Sequence, residues 1–415
     1  MRVLLLGSGG REHALAQALK RDPELTELHV APGNPGIAQI AICHQVDIKN
    51  NNAVIELAQK LNIDVVVVGP EAPLINGIAD ACQINKIHCF GPSKAAAQLE
   101  GSKDFAKQIM QIAGVPTAKS FTCVNQAEIE KALDAFGAPY VVKHDGLAAG
   151  KGVVVTSNRS EALEHALLSS RVVIEEFLDG PEVSLFGISD GEKVIAMQPA
   201  QDFKRAFDGD KGLNTGGMGA YSPLPWAPEN LEEEVLEKVL NPTIKTMAER
   251  GTPFVGLLYA GLALNSKGIR VIEFNARFGD PETQVLLPRL KTPLAQLLYS
   301  AATKNLEKFS KLDWIAESAV TVVLASENYP SEPIVNLPIT GLTESANTYI
   351  FHAGTKNESG ILKSSGGRVL TITGIGKDLN QARKEAYEVI SKIRLMGSHY
   401  RRDIALKASQ NEISE

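Results

Sequence analysis

Between Val271 and Gln284 the chain reads Val-Ile-Glu-Phe-Asn-Ala-Arg-Phe-Gly-Asp-Pro-Glu-Thr-Gln. Successive side chains of a strand point to opposite faces, so Glu273, Asn275 and Arg277 share one face while Ile272, Phe274 and Phe278 turn toward a core. A carboxylate beside a carboxamide oxygen is a donor pair that a hard cation such as Mg²⁺ takes together with substrate phosphates. Arg277 adds a planar fork of donors suited to a phosphoryl or carboxylate group. The bland alternative is an edge strand with one wet face. The tail Gly279-Asp280-Pro281-Glu282 argues against it by adding two carboxylates on a turn.

Three further segments have phosphate or nucleoside chemistry within reach. From Lys143 to Gly152 a glycine-rich hairpin carries Lys143 on its strand and Gly150-Lys151 on its loop, so that backbone and two ammonium groups can approach phosphate oxygens. Gly152 stands where a Walker loop needs Ser or Thr, so this is no P-loop; the alternative is a flexible turn. From Ile174 to Glu182 an apolar strand runs into an acidic connector whose backbone can read an adenine edge and whose Glu182 can take ribose hydroxyls, or which is an ordinary charged strand end. From Gln201 to Gly219, Lys204-Arg205 precede Asn214-Thr215-Gly216-Gly217-Met218-Gly219, a tight cradle with cations for a developing phosphoryl charge, set against a solvated charged loop.

Those segments need a scaffold. The chain has 415 residues, 44% hydrophobic and 22% charged, enough for two to four domains with substantial cores. A net charge of -6 argues against a nucleic-acid surface. Cys43, Cys82, Cys89 and Cys123 form no C-x-x-C pair or zinc-spaced cluster, the start is too short in apolar residues for a signal segment, and no membrane-spanning run follows. A cytoplasmic enzyme is the expectation.

Residues 1 to 101 alternate strands with helical patterns and predict a doubly wound parallel sheet. Its loops Gly7-Ser8-Gly9-Gly10-Arg11, Pro32-Gly33-Asn34-Pro35-Gly36 and Gly69-Pro70-Glu71 lie at strand ends, where helix N-termini attract anions. As a dinucleotide fingerprint the first fails, since Glu12 stands at the third glycine and Ala31-Pro32 where a ribose-binding acid belongs. A phosphate on a smaller ligand, assisted by Arg11, fits better. Ser102 is the expected cap of a helix through Ile112. After it the order β-α-β-β-α-β over about 120–182 predicts a small lid. A loop over Asp202 to Ser222, a helical stretch from Asn230 to Arg250 interrupted by Pro242, and a final region from Ser318 with three strands and a helix over Leu379–Ile393 complete the expectation.

The motifs G-S-G-G-R-E-H, P-G-N-P-G, V-G-P-E-A-P-L, G-L-A-A-G-K-G-V, D-G-D-K-G-x-N-T-G-G-M-G and R-F-G-D-P-E-T-Q stand in one order over nearly the whole chain. In this the chain resembles the phosphoribosylamine-glycine ligase family of ATP-grasp enzymes. Phe203 replaces a usual His, His144 a usual small residue and Leu213 a common Pro, so no proton-transfer role is expected at 203. The resemblance implies an α/β ATP-grasp fold with a parallel-sheet domain over 1–101, a grasp domain over 102–317 with a mobile lid, and a C-terminal α/β domain over 318–415. It implies ATP-driven ligation of glycine to 5-phospho-β-D-ribosylamine through a glycyl phosphate in purine biosynthesis, with Mg²⁺ or Mn²⁺ as cofactor. It implies small-molecule partners, no nucleic acid or membrane, and a transient contact with the enzyme that makes the labile amine.

By the same resemblance Lys103, Lys143, Gly150 and Lys151 meet ATP phosphates, Glu175, Glu176, Leu178 and Glu182 the adenosine, and Glu273 with Asn275 the metal. Arg277, Lys204 and Arg205 neutralise the transferring group. Gly9, Gly10, Arg11, Asn34 and Glu71 hold phosphoribosylamine, and Asp210, Asn214, Thr215, Gly216, Asp280, Pro281 and Glu282 line the glycine and amine pocket. The rivals are another ligase or carboxylase of the same architecture, a dehydrogenase, and a silent nucleotide sensor.

Overall fold

The computed structural model describes residues 1–147 and 152–413. The N-terminal sheet runs Ile42–Cys43, Glu27–Pro32, Arg2–Gly7, Val65–Val68, His88–Phe90, all parallel. Its central strands are continuous apolar runs because both faces are covered: Leu4, Leu6, Val66 and Val68 enter one core, Val3, Leu5, Val65 and Val67 the other. The strand Ile42–Cys43 and the short helix Glu71–Ile75 escape a periodicity reading because each is shorter than one or two periods.

Ser102 caps the helix Lys103–Ala113, its hydroxyl accepting from Phe105 N–H at 3.1 Å. The segment read as a lid comes next, with its elements in the order β-α-β-β-α-β. Strands Ser120–Cys123, Val172–Glu175, Tyr140–His144 and Val153–Thr156 lie side by side in that order, all antiparallel, and helices Gln126–Phe136 and Arg159–Leu167 are capped by Asn125 and Asn158. It carries a core of its own, built on Leu133, Val142, Ala162, Val172 and Ile174. The antiparallel sheet beneath it orders Val194–Ala196, Glu182–Asp190, Val255–Asn265 and Gly268–Asn275.

Two expectations are corrected. The loop over 202–222 is largely β structure: Arg205–Phe207 pairs with Lys211–Asn214 around Gly209 and Asp210, both at positive φ, while Gln201–Asp202 and Gly219–Ser222 join the C-terminal sheet. That sheet, completed by Ser318–Ala325, Arg368–Gly376 and Thr348–His352, therefore crosses the boundary expected at 318. The helical stretch 230–250 is interrupted as expected: helix Leu231–Val235 passes through a π-turn, Leu236–Leu240, into helix Asn241–Glu249, whose first turn accommodates Pro242. Second, Ile272 does not turn into the core. A register shift sets Gly261 opposite Glu273 and Leu262 opposite Val271, leaving Ile272 the extra residue of a bulge and placing it beside Glu273 on the cavity wall. Among the described residues no helix is long and apolar enough to cross a membrane.

Candidate active site

Lid, central sheet, N-terminal helices and the 205–214 ribbon enclose a cavity of about 1320 Å³. Glu273 and Asn275 stand half-buried on its floor, and among the described residues neither side chain has a hydrogen-bond or ion-pair partner. An uncommitted carboxylate and carboxamide oxygen, two positions apart on a fixed strand, suit a hard divalent cation. Because Asn275 ends the strand, Arg277 lies past it on the bend that follows, yet still reaches the cavity.

Lysines gather at the lid end. Lys143 Nζ donates to Ile272 O at 2.8 Å and lies 2.9 Å from Glu175 Oε2; Lys107 Nζ lies 3.1 Å from Glu175 Oε1. Glu175 is thus a buried wall carboxylate between two ammonium groups. Burial brings Lys107 down to about 8 against the pull of Glu175, and lowers Lys103, with Lys143 adding repulsion and Glu273 opposing. Lys103 Nζ donates to Gly146 O at 2.9 Å. Glu176 accepts from Lys119 N–H and pairs with Arg270, which commits its carboxylate to the connector's anchorage, while Leu178 lines the cavity. Glu182 pairs with Lys204 at 2.6 Å and is held below the usual carboxylate range by it. Gly150 and Lys151 lie outside the described residues.

Arginines govern the opposite end. Arg277 Nη2 lies 3.1 Å from Glu100, its Nε 3.5 Å from Glu71, and that buried Nε–H has no hydrogen-bond partner among the described residues. Arg11 pairs with Glu12 at 2.6 Å and donates to Phe278 O at 3.0 Å. Burial would raise Glu71, but Arg277 and Arg11 draw it below its ordinary value. Between the two ends, burial pushes Asp202 up to about 7, Lys204 opposing and the carboxylates Glu282, Glu182 and Glu273 reinforcing. Glu282 accepts from Ser184 Oγ at 3.1 Å.

The structure brings Lys103, Lys143, Glu175, Glu176, Leu178, Glu182, Lys204, Arg205, Asp210, Asn214, Thr215, Gly216, Glu273, Asn275, Arg277, Asp280 and Glu282 to one cavity with Arg11 and Glu71. It leaves Gly9, Gly10, Asn34 and Pro281 off the lining. The Gly9 N–H is taken by Glu12 Oε2 at 2.6 Å, so the chain's own carboxylate occupies that donor. Gly10 packs against Gln284 and Thr371. Asn34 is spent on backbone, donating to Ser8 O and His352 O and accepting from Gly36 and Ile37. Pro281 packs on Gly217. Sequence reading missed Lys107, Glu100, Asp202, Tyr259, Arg368 and Arg401, all lining the cavity. Only Lys107 carried a signal, four residues after Lys103 on one helix face.

Models of the phosphoribosylglycinamide synthetase N domain, ATP-grasp (A) domain and C domain match residues 1–100, 101–283 and 319–407. The chain belongs to the phosphoribosylglycinamide synthetase family. It has the ATP-grasp fold and is an ADP-forming carbon–nitrogen ligase. A phosphoribosylamine–glycine ligase of Streptomyces coelicolor is 60% identical over 414 residues, 99% of this chain and 100% of that protein; one of Mycobacterium bovis is 52% identical over 424 residues, covering 100% of both. The crystal structure of a phosphoribosylamine–glycine ligase from Thermotoga maritima superposes with a TM-score of 0.84 at 33% identity, over 98% of this chain and 100% of that one. A biotin carboxylase from Campylobacter jejuni, at TM-score 0.74 and 16% identity over 99% of this chain and 95% of that one, shares the fold.

Proposed function

We infer that this synthetase-family chain joins glycine to 5-phospho-β-D-ribosylamine with ATP, giving glycinamide ribonucleotide, ADP and phosphate. One observation carries the reading: a single cavity presents buried lysines at one end, arginine-paired carboxylates at the other and two uncommitted oxygen donors between. In this reading Lys103, Lys107 and Lys143 hold the ATP phosphates, and the connector around Leu178 with Glu182 takes the adenosine. Glu273 and Asn275 hold Mg²⁺, which when bound screens phosphate charge; the same oxygen donors suit Mn²⁺.

The glycine carboxylate forms a bond to the γ-phosphorus as the bond to the β-phosphate oxygen breaks, releasing ADP. Arg277 and Lys204 offset the charge in transfer, as phosphoryl transfer requires positioning and neutralisation rather than a side-chain nucleophile. The ribosylamine nitrogen, with Arg11 and Glu71 near its sugar phosphate, then bonds to the acyl carbon and phosphate leaves. The nitrogen must shed a proton, and Asp202, a carboxylate of the same cavity that burial raises, is available to accept it. The lid keeps water from the acyl phosphate.

The test is ADP release by the purified chain with Mg-ATP. One ADP per amide formed, only with glycine and phosphoribosylamine both present, is expected. ADP release driven by bicarbonate without amide formation would establish the carboxylase rival instead.

A further inference from the structure

Arg368, the first residue of strand Arg368–Gly376, comes from the C-terminal region yet lines the cavity. Its guanidinium joins two segments far apart in the chain. Nη1 donates to Gly216 O and, at 2.8 Å, to Asp280 O, while Nη2 lies 3.1 Å from the Asp280 carboxylate. A Cβ at Gly216 would sit 3.0 Å from the guanidinium carbon, so this glycine is what lets the fork lie against the turn. Tyr329, also from the C-terminal region, accepts the Gly216 N–H at 3.0 Å, so the turn is held on both sides. A bulge between Arg368–Gly376 and Ser318–Ala325 lies at the end from which Arg368 projects.

We propose that Arg368 is a positioning residue of the glycine and amine pocket, locking the Asn214–Gly217 turn to the Asp280 loop and orienting the Asp280 carboxylate toward substrate. A planar fork can bridge a carbonyl and a carboxylate at once; an ammonium on a flexible stem cannot fix both directions. The inference rests on the assignment of Asp280 to that pocket made above. The charged groups facing Asp280 are Arg368, Arg11 and Arg277, with Glu71 the opposing carboxylate. Burial would raise Asp280; Arg368 leads the groups that bring it below its ordinary value, so removing the guanidinium moves Asp280 upward.

The experiment uses the full chain carrying Arg368→Gln, Arg368→Lys or Asp280→Asn, with kcat and KM measured separately for ATP, glycine and phosphoribosylamine across pH. Arg368→Gln is expected to lower kcat/KM for glycine or the amine roughly tenfold or more while the ATP KM stays within about twofold, and to shift the acid limb of that kcat/KM to higher pH. Arg368→Lys is expected to return the limb toward the wild-type position with the acceptor defect partly retained. Equal losses for all three substrates with an unmoved acid limb, or no loss at all, overturns the proposal, and where Arg368→Gln does not fold Arg368→Lys is read by the same split between acceptor and ATP. Asp280→Asn with unchanged acceptor constants overturns the pocket assignment itself; Asp280→Asn impaired with Arg368→Gln unimpaired overturns only the role of Arg368.

Discussion

The two ends of the cavity acquire positive charge by different means. At the lid end Lys107 and Lys143 share the one buried carboxylate of Glu175, leaving net positive charge on point-like groups with flexible stems. At the opposite end Arg277, Arg11 and Arg368 are each tied to a carboxylate, Glu100, Glu12 and Asp280, and to carbonyl oxygens on fixed turns. Surplus charge without fixed direction suits a polyphosphate entering under a lid that carries one of its own binders. Neutralised forks with fixed direction suit small substrates that must be aligned against one acyl centre. The difference teaches that one site can separate charge supply from alignment by choosing lysine for the first and arginine for the second.

The comparison breaks first at the floor between the ends. Glu273→Ala should lower turnover about a hundredfold or more, the scale for losing one electrostatic contact in transfer, as read by steady-state ADP release; near-native turnover would remove the metal assignment. Arg277→Lys keeps charge and loses the fork that faces the transferring group, so kcat should fall roughly tenfold to a hundredfold, carrying kcat/KM for ATP and for the acceptors down together.

A finer test uses Lys107, whose folded value of about 8 lies below its ordinary 10.5. Below about 8 it carries its charge, so ADP affinity measured by calorimetry should fall a few-fold as pH rises through 8, and Lys107→Arg should abolish that fall. Stability must move the other way: the unfolded chain binds the extra proton between about 8 and 10.5, so this group's contribution rises with pH across that window, as denaturant titrations would report. The smallest catalytic effect belongs to Asn34→Ala, which strips backbone partners outside the cavity. It should cost roughly 2–4 kcal/mol of stability and leave every KM within about twofold; a raised phosphoribosylamine KM alone would return Asn34 to the binding site.

The elements were legible where local signals agree. The lid's β-α-β-β-α-β order follows from alternating Val and Ile runs punctuated by Asn125 and Asn158 caps, and the parallel sheet from runs apolar on every residue. Illegible were features set by partners distant in sequence: the bulge that turns Ile272 onto the cavity wall and the pairing of Gln201–Asp202 and Gly219–Ser222 into the C-terminal sheet. At Gly9 composition advertises a free N–H, whereas the folded chain satisfies that one donor with its own Glu12 carboxylate.

By itself the sequence determined which chemistry this protein carries, because oxygen donors, ammonium groups and glycine cradles are properties of residue types and of spacing along one strand or loop. Tertiary structure alone decided which of those groups remain free to meet a ligand. Glu273 and Asn275 stay uncommitted while Asn34 and Glu176 are consumed, and Arg368 arrives from the far end of the chain, because hydrogen-bond partners are assigned by packing across hundreds of residues rather than by neighbours in sequence.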